Sequence, residues 1–237
     1  MTAYTIKFLA LIDEQMTEAH NTLPILYSLR HCPYAMRARM AIFSSTQPVL
    51  LRAIKLSNKP PEMLELSSKG TVPMLVISAE EVLEESLDIM LKILSAQDPH
   101  DLLHQQQPQT LPDMLILIRR FDVQFKAALN NYKCAKRYRE SNLTECRQAC
   151  EVYIQELELQ LNKHQFLMSE KESLVDIALL PFIRQFSKVE RQWYQQSPYP
   201  LLRAWLTKYV QSPMFTKVMA PHPLWVECRQ SIIFGDL

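Results

Sequence analysis

The sequence predicts an α/β domain followed by an all-α helical domain, and three observations support this fold class. Between residues 23 and 97, short apolar runs alternate with segments of helical periodicity. Residues 98–111 are rich in proline and glutamine and have no apolar period, as is typical of a linker between domains. From residue 112 to residue 237, the apolar residues recur at helical spacing. The chain of 237 residues is long enough to bury two cores.

Composition and charge exclude several classes of function. The net charge of +1 gives no overall field that would attract nucleic acid or an anionic membrane. The apolar run Ile177 to Ile183 is far too short to cross a bilayer, and the N-terminus lacks the features of a secretory signal. The five cysteines have no framework spacing, which suits a reducing compartment. We therefore expect a cytoplasmic protein that binds neither nucleic acid nor a membrane.

The first domain begins with a strand, a helix and a second strand. Ile25–Ser28 reads as a short buried strand, Met36–Ser45 as a helix, and Val49–Leu56 as a second strand. Small residues at Ala35, Ala38 and Ala41 would let the helix pack close to a sheet. A strand–helix–strand unit within one sheet is parallel and right-handed, so the two strands should run in the same direction.

The rest of this domain predicts a short helix, a hairpin and a longer helix. Pro60 and Pro61 precede a helical segment, Glu62–Ser67, and Met74–Ile77 then reads as a strand. Val82 and Leu83 can pair with that strand in antiparallel fashion, and Ser86 is positioned to cap the helix that follows. The order β-α-β-α-β-β-α is that of a thioredoxin-like unit.

The second domain is expected to be helical throughout. Two long apolar stripes, beginning at Leu111 and at Cys146, have helical spacing. Ser173 and Asp176 resemble a capping box at the start of a further helix, and Pro181 should kink that helix or end it early. Residues 1–22 form an N-terminal extension, for which a short amphipathic helix and a loosely attached tail both remain open.

Cys32 is the strongest candidate for chemistry. It lies where the first strand ends and a helix begins, and Pro33 suits the first turn of that helix. The unpaired N–H groups of a helix N-terminus favour the thiolate over the thiol, and the thiolate is the nucleophilic form of cysteine. The alternative is that Cys32 is a small buried hydrophobic residue, as most cysteines are.

Several motifs in order resemble those of the cytosolic glutathione transferases, and specifically the omega-like branch with a catalytic cysteine. The matching segments, which run from about residue 23 to about residue 190, are Leu26-Tyr27-Ser28, Cys32-Pro33-Tyr34-Ala35, Lys59-Pro60, Gly70-Thr71-Val72-Pro73, Glu84-Glu85-Ser86-Leu87-Asp88-Ile89 and Ser173-Leu174-Val175-Asp176. Residues 1–22 fall outside the resemblance. It implies the glutathione transferase fold, with glutathione as co-substrate, and a homodimer.

The resemblance also implies a glutathione site built from the matching positions. Val72 would pair its backbone with the cysteinyl part of glutathione, and Pro73 would be the cis-proline of the family. Glu85 and Ser86 would hold the γ-glutamyl end, and Lys59 would pair with the glycyl carboxylate. Tyr34 is assigned to the same glutathione-binding set. As alternatives, Lys59 is only a surface charge, and Glu85 with Ser86 is only a helix cap.

The cysteine favours thiol transfer as the activity. Cys32 would attack a glutathionylated substrate, small molecule or protein, and a second glutathione would resolve the mixed disulfide. Ala35 stands where a glutaredoxin often has its second cysteine, so a two-cysteine cycle is disfavoured. Members of this branch also reduce dehydroascorbate, which the resemblance extends to this chain. Two alternatives remain: conjugation of electrophiles through Tyr27 or Ser28, and a non-enzymatic interaction scaffold on the same fold.

The remaining candidates are weaker. Cys146 and Cys150 lie on the apolar stripe of one helix and are expected in the core, whereas Cys134 could approach the site. We predict no metal site, since no Cys/His set has ligand spacing. An acceptor pocket should lie between the domains beside Pro33 and Tyr34. Its further candidates are Arg119, Arg120, Tyr132 and Trp225.

Overall fold

A computed structural model of the chain describes residues 23–67, 69–107 and 109–235. The predictions made for the N-terminal extension, residues 1–22, lie outside the described residues. No helix within the described ranges is both long and apolar enough to cross a membrane.

The described residues form five strands and a series of helices. The strands are β1 (Ile25–Ser28), β2 (Val49–Ala53), β3 (Met74–Val76), β4 (Val82–Leu83) and β5 (Ile232–Phe234). The helices of the first domain are α1 (Pro33–Ser45), α2 (Pro61–Leu66) and α3 (Ser86–Ala96). Those that follow are α4 (Thr110–Arg120), a π-helical turn (Phe121–Phe125), α5 (Lys126–Tyr138), α6 (Leu143–Leu161), α7 (Leu174–Val189), α8 (Arg191–Gln196), α9 (Pro200–Val210), α10 (Pro213–Val218) and α11 (Trp225–Cys228).

The sheet has the strand order β4-β3-β1-β2-β5. Strands β1 and β2 are parallel, which confirms the predicted strand–helix–strand unit, and β3 pairs antiparallel with β1 and with β4. The alternation of side chains along β1 separates the two faces of the sheet. Leu26 belongs to the large core beneath α1, whereas Tyr27 belongs to a smaller cluster with Met63 of α2.

The prediction of an all-helical region from residue 112 to residue 237 is wrong for its last described segment. Residues 232–234 form β5, which pairs antiparallel with β2 and adds an outer strand to the sheet of the first domain. An open strand edge has unpaired N–H and C=O groups, and the returning chain satisfies those of β2. The C-terminal segment therefore completes the sheet that carries the site.

Three local predictions also need correction. The second strand ends at Ala53 rather than at Leu56, because Lys55 and Asn58 close a turn directly after it. Glu85, not Ser86, is the N-cap of α3, and Ser86 is the first helical residue. Helix α7 does not end at Pro181 but continues to Val189.

The predicted capping pair at the start of α7 is present and fully buried. The amide and hydroxyl of Ser173 both donate to Asp176, at 3.0 and 2.9 Å. The amide of Leu167 and the indole N–H of Trp205 donate to the other carboxylate oxygen, at 3.1 and 3.0 Å. Burial raises the pKa of Asp176 to about 6, and the four donors compensate the desolvated carboxylate. This network fixes α7, which packs directly against α1.

Candidate active site

Cys32 occupies the N-cap position of α1. Its backbone is extended, with φ −72° and ψ 124°, and Pro33 follows as the first helical residue. Its carbonyl accepts the first helical hydrogen bond from Met36, at 2.9 Å. The first turn of α1 has no acidic side chain, so nothing there opposes the positive end of the helix dipole. The sequence prediction that Cys32 lies at the helix start is confirmed.

The sulfur of Cys32 is half-buried and lies between a backbone carbonyl and a buried cation. Its Sγ is 3.6 Å from the carbonyl oxygen of Val72, to which the thiol donates. Arg39, one to two turns along α1, is buried and donates to the backbone carbonyls of Leu29, Arg30 and Val218. Burial lowers the pKa of the Arg39 guanidinium to about 10, and the nearby charge of Cys32 acts in the opposite direction. The structure therefore holds a cation within electrostatic range of the sulfur.

A pocket of about 490 Å³ opens beside Val72, between the two domains. Its lining residues are Tyr34, Arg37, Lys69, Thr71, Val72, Pro73, Glu84, Glu85, Ser86, Asp122 and Lys126. We call this space the mixed-charge pocket, since three cationic and three anionic side chains surround it. The structure thus brings Tyr34, Val72, Pro73, Glu85 and Ser86 together around one cavity. Lys59 is not among the lining residues.

The backbone at Val72 has a cis peptide bond and an amide that is open to a ligand. The Val72–Pro73 peptide bond is cis, as the resemblance implies. The amide of Val72 donates to no other described residue, and its carbonyl is contacted by the thiol of Cys32. An extended ligand in the mixed-charge pocket can therefore pair with this backbone as a strand would.

A buried ion pair joins the two domains at the floor of the pocket. Arg37 of α1 donates two hydrogen bonds to the carboxylate of Asp122, both at 2.8 Å, and its side chain is only 3% exposed. The third guanidinium donor, Nε, bonds the hydroxyl of Ser86 at 2.9 Å. Such bidentate pairs are geometrically specific as well as strong. Arg37 thereby fixes the position of the Ser86 hydroxyl, which donates to no described residue.

The rim of the pocket is held by weaker contacts. Glu85 and Lys69 form an exposed ion pair of 3.1 Å. Glu84 accepts a hydrogen bond from the hydroxyl of Ser67. On the opposite wall, the ammonium of Lys126 lies 4.3 Å from the centre of the Tyr34 ring. These contacts leave both signs of charge close to the cavity.

Lys59 lies behind this rim, against Gly70. Gly70 has φ +55°, and a Cβ at this position would lie 2.8 Å from Leu64 and 3.3 Å from the ammonium of Lys59. Glycine is required here because the backbone is left-handed and two side chains approach it closely. Gly70, which Lys59 approaches, directly precedes Thr71 of the pocket lining. The predicted contact of Lys59 with a glycyl carboxylate stays a prediction.

The two hydroxyls considered as alternatives to Cys32 are already engaged. The phenol of Tyr27 is buried, in the same cluster as Val72, and accepts a hydrogen bond of 2.8 Å from Arg52. Burial raises the pKa of Tyr27, although the Arg52 cation acts in the opposite direction. The hydroxyl of Ser28 accepts from Arg39. Neither hydroxyl faces the mixed-charge pocket.

The remaining sequence candidates have structural contacts. Arg120 pairs with Glu156 at 2.8 Å, and Tyr132 is buried and donates to Glu190. Trp225 covers Arg52, whose guanidinium carbon lies 3.8 Å from the ring centre. Arg119 is exposed on α4.

The other cysteines divide by burial. Cys150 is buried and Cys146 half-buried in the helical core, as predicted, whereas Cys134 and Cys228 are exposed. Burial raises the pKa of the Cys150 thiol to about 12, so Cys150 is not a nucleophile at neutral pH.

Sequence reasoning missed Arg37, Asp122 and Lys126 as parts of the pocket. Nothing in the sequence links Arg37 to Asp122, which lies 85 positions further along the chain. The only local sign was the polar residue Asp122 within an otherwise apolar helical stripe.

A thioredoxin-like sheet domain that precedes a helical domain, with a cis-proline facing a cysteine at a helix N-terminus, defines the class of glutathione-dependent transferases. Family comparison agrees with this. Residues 26–101 match the N-terminal domain of glutathione S-transferases, and residues 114–213 match their C-terminal domain. The chain belongs to the glutathione S-transferase family and is a glutathione transferase enzyme.

Individual relatives give a finer view. Pyrimidodiazepine synthase of Drosophila melanogaster is 29% identical over 196 residues, which cover 79% of this chain and 77% of that protein. Glutathione S-transferase omega-1 of Mus musculus is 25% identical over 190 residues, which cover 80% of this chain and 77% of the relative.

Solved structures support the fold. Glutathione transferase Omega 3C from Trametes versicolor superposes with a TM-score of 0.72 at 17% identity, covering 90% of this chain and 96% of that one. A glutathione S-transferase-I bound with lactoylglutathione superposes with a TM-score of 0.70 at 20% identity, covering 83% of this chain and 98% of that one. At these identities the likeness concerns the fold alone.

Proposed function

We propose that the protein is a glutathione-dependent thiol transferase of the omega-like branch, with Cys32 as its nucleophile. One observation carries the proposal: the sulfur of Cys32 lies at the N-terminus of α1, 3.6 Å from the Val72 carbonyl that borders the mixed-charge pocket. The sulfur therefore lies at the positive end of the α1 dipole, and the Arg39 guanidinium is within electrostatic range of it. A glutathione bound along Val72 would bring its own sulfur to Cys32.

The pocket offers each part of glutathione a partner of suitable chemistry. The backbone N–H of Val72 can donate a hydrogen bond to the cysteinyl unit, and its carbonyl can accept one from it. The hydroxyl of Ser86, oriented by Arg37, and the start of α3 suit the γ-glutamyl carboxylate, while the Glu85 carboxylate suits its ammonium group. Lys59 is proposed for the glycyl carboxylate, and the ring of Tyr34 forms the wall toward the helical domain.

The reaction is two successive thiol–disulfide exchanges. The Cys32 thiolate attacks the glutathionyl sulfur of a mixed disulfide; a new S–S bond forms to Cys32, and the acceptor leaves as a thiolate that takes up a proton. A second glutathione, as its thiolate, then attacks the glutathionyl sulfur on Cys32. Oxidised glutathione leaves, and the Cys32 thiolate is restored. The acceptor is reduced by two electrons, and two glutathione units become one disulfide.

Dehydroascorbate reduction is proposed as a second use of the same sulfur. Conjugation of electrophiles is less well supported, because the hydroxyls of Tyr27 and Ser28 both accept hydrogen bonds from arginines and neither residue lines the mixed-charge pocket. A non-enzymatic scaffold role is also less well supported, because it does not account for the three cationic and three anionic side chains that line the pocket. We further propose a homodimer and a cytoplasmic location, in keeping with the family.

Replacement of Cys32 distinguishes thiol transfer from conjugation of electrophiles and from a scaffold role. In Cys32→Ser, reduction of a glutathione mixed disulfide should fall by at least about a thousandfold, because the variant has no sulfur to form the intermediate. Conjugation of glutathione to a chloronitrobenzene should persist or rise. The matched control is Cys134→Ser, an exposed cysteine on α5, which should keep wild-type rates. Thiol transfer that survives in Cys32→Ser would contradict the proposed nucleophile.

A further inference from the structure

A second cavity, of about 400 Å³, lies between α5 and α7, and four of its six lining residues are cationic. Its lining residues are Lys133, Lys136, Arg137, Gln185, Lys188 and Val189. We call it the cationic cleft. No acidic side chain is among the residues that line it, so four cationic residues from two helices border one open space.

These cations have few partners within the described parts of the chain. Lys136 lies 3.5 Å from Glu190, whose carboxylate also accepts hydrogen bonds from Tyr132 and Arg147. Lys133, Arg137 and Lys188 form no ion pair with any described residue. Since like charges repel, this arrangement costs free energy unless an anion enters.

The positive charge continues from the cleft to the nucleophile. Arg184 lies one turn before Lys188 on α7, and Arg30 and His31 lie directly before Cys32. Burial and the charges of Arg30, Arg184 and Lys188 lower the pKa of His31, in keeping with both helix cations lying within electrostatic range of the residue before Cys32. Cationic side chains therefore extend from the cleft along α7 toward the Cys32 turn.

We propose that the cationic cleft binds the acidic segment of a glutathionylated protein and thereby makes acidic polypeptides the preferred acceptor substrates. The inference rests on the proposed thiol-transfer function and adds the substrate class to it. An extended peptide matches the open shape of the cleft, and carboxylates match its charge. The net charge of the whole chain is only +1, so the positive charge is local to the region of the cleft. The protein surface as a whole would not attract polyanions.

In the proposed complex, the mixed disulfide of the protein substrate lies at Cys32. The glutathionyl half occupies the mixed-charge pocket, and the acidic residues next to the substrate cysteine extend toward α5 and α7. Cys32 attacks the glutathionyl sulfur, and the substrate leaves as a thiolate that takes up a proton.

The test uses three probes and two matched variants. The probes are a short acidic peptide and its Asn/Gln counterpart, each carrying one glutathionylated cysteine, and the small neutral mixed disulfide of glutathione with 2-mercaptoethanol. Lys133→Gln/Lys188→Gln removes two charges from the cleft. Lys163→Gln/Lys171→Gln removes two equally exposed charges outside it.

At low salt, wild-type kcat/KM should favour the acidic over the neutral peptide by about tenfold. Lys133→Gln/Lys188→Gln should lower that preference to about twofold and leave turnover of the small disulfide unchanged, because the charges act on encounter and not on the exchange. The control pair should keep the wild-type preference. A wild-type enzyme without the preference, or a cleft variant that retains it, would overturn the inference.

The two proposals fail in distinguishable ways. If the small disulfide is reduced through Cys32 but the acidic peptide has no advantage, only the inference about the acceptor is wrong. If no disulfide is reduced, the proposed function is wrong, and fluorescence anisotropy still tests the cleft. A labelled, unmodified acidic peptide should then bind Cys32→Ser with an affinity that Lys133→Gln/Lys188→Gln lowers about tenfold, and equal affinities would refute the cleft as a docking site.

Discussion

The mixed-charge pocket and the cationic cleft differ in how their charged side chains are arranged. In the mixed-charge pocket, opposite charges are fixed against one another: Arg37 with Asp122 at 2.8 Å and Lys69 with Glu85 at 3.1 Å. In the cationic cleft, charges of one sign are gathered without carboxylates in the lining. A paired arrangement orients a zwitterion in one pose, whereas an unpaired one attracts any anion of the right size. Under the proposed function, selectivity for glutathione comes from the fixed geometry of the paired side chains in the pocket. Selectivity for the acceptor comes from the positive charge of the cleft.

The largest expected effect follows from breaking the pair on the fixed side. Asp122→Asn removes the carboxylate that compensates the buried Arg37 guanidinium, so the free energy of unfolding should fall by about 3 kcal/mol. Glutathione affinity should fall as well, because Arg37 then no longer holds Ser86. Urea denaturation and calorimetric titration measure the two effects.

A double variant provides the control for this prediction. Arg37→Met/Asp122→Leu replaces the pair by apolar side chains of similar size and should recover much of the lost stability. It should not recover glutathione binding, since Ser86 remains without its donor. If stability and binding recover together, the pair has no role of its own in the pocket.

A smaller effect is expected from Ser86, which contacts the ligand in the proposed complex. Ser86→Ala removes the hydroxyl that Arg37 orients, and the dissociation constant of glutathione should rise about tenfold, in keeping with the loss of one charge-assisted hydrogen bond. The matched control is Ser95→Ala, an exposed serine at the other end of α3. Equal affinities in the two variants would remove Ser86 from the site.

The smallest effect is a difference in salt dependence between the two sides. Raising the ionic strength from about 0.02 to 0.2 M shortens the screening length to below 10 Å. The KM for an acidic glutathionylated peptide should then rise about threefold, because the cations of the cleft are exposed and, apart from Lys136, form no ion pair with a described residue. The KM for glutathione should change much less, because its partners are paired and close. An identical salt response on both sides would contradict the comparison.

Much of the first domain could be predicted from sequence because its elements are local. Strand β1, the turn at Cys32 and helix α1 are consecutive, and turn residues such as Pro33 and Gly70 mark their own backbone conformation. The same holds for Ser173 and Asp176, three positions apart at the start of α7. Each of these patterns predicts its own local structure, because the residues involved are only a few positions apart in sequence.

Contacts between distant segments could not be predicted in this way. Strand β5 is only three residues long, and its partner β2 lies about 180 positions earlier in the chain, so its apolar triplet could not be distinguished from a helix end. Arg37 with Asp122 and the cations of α5 with those of α7 likewise meet only after the domains pack. The assigned roles of Tyr34, Lys59, Val72, Pro73, Glu85 and Ser86 remain predictions, although the structure places all but Lys59 around one pocket.

The central claim is that the sulfur of Cys32 exchanges with glutathione, and intact-mass spectrometry tests it most directly. After incubation with oxidised glutathione at neutral pH, the wild-type chain should gain one glutathionyl group, which added reduced glutathione removes. Cys32→Ser should gain none, while Cys134→Ser and Cys228→Ser, which remove the two exposed cysteines, should still gain one. An unmodified wild-type chain, or an adduct that persists in Cys32→Ser, would contradict the account.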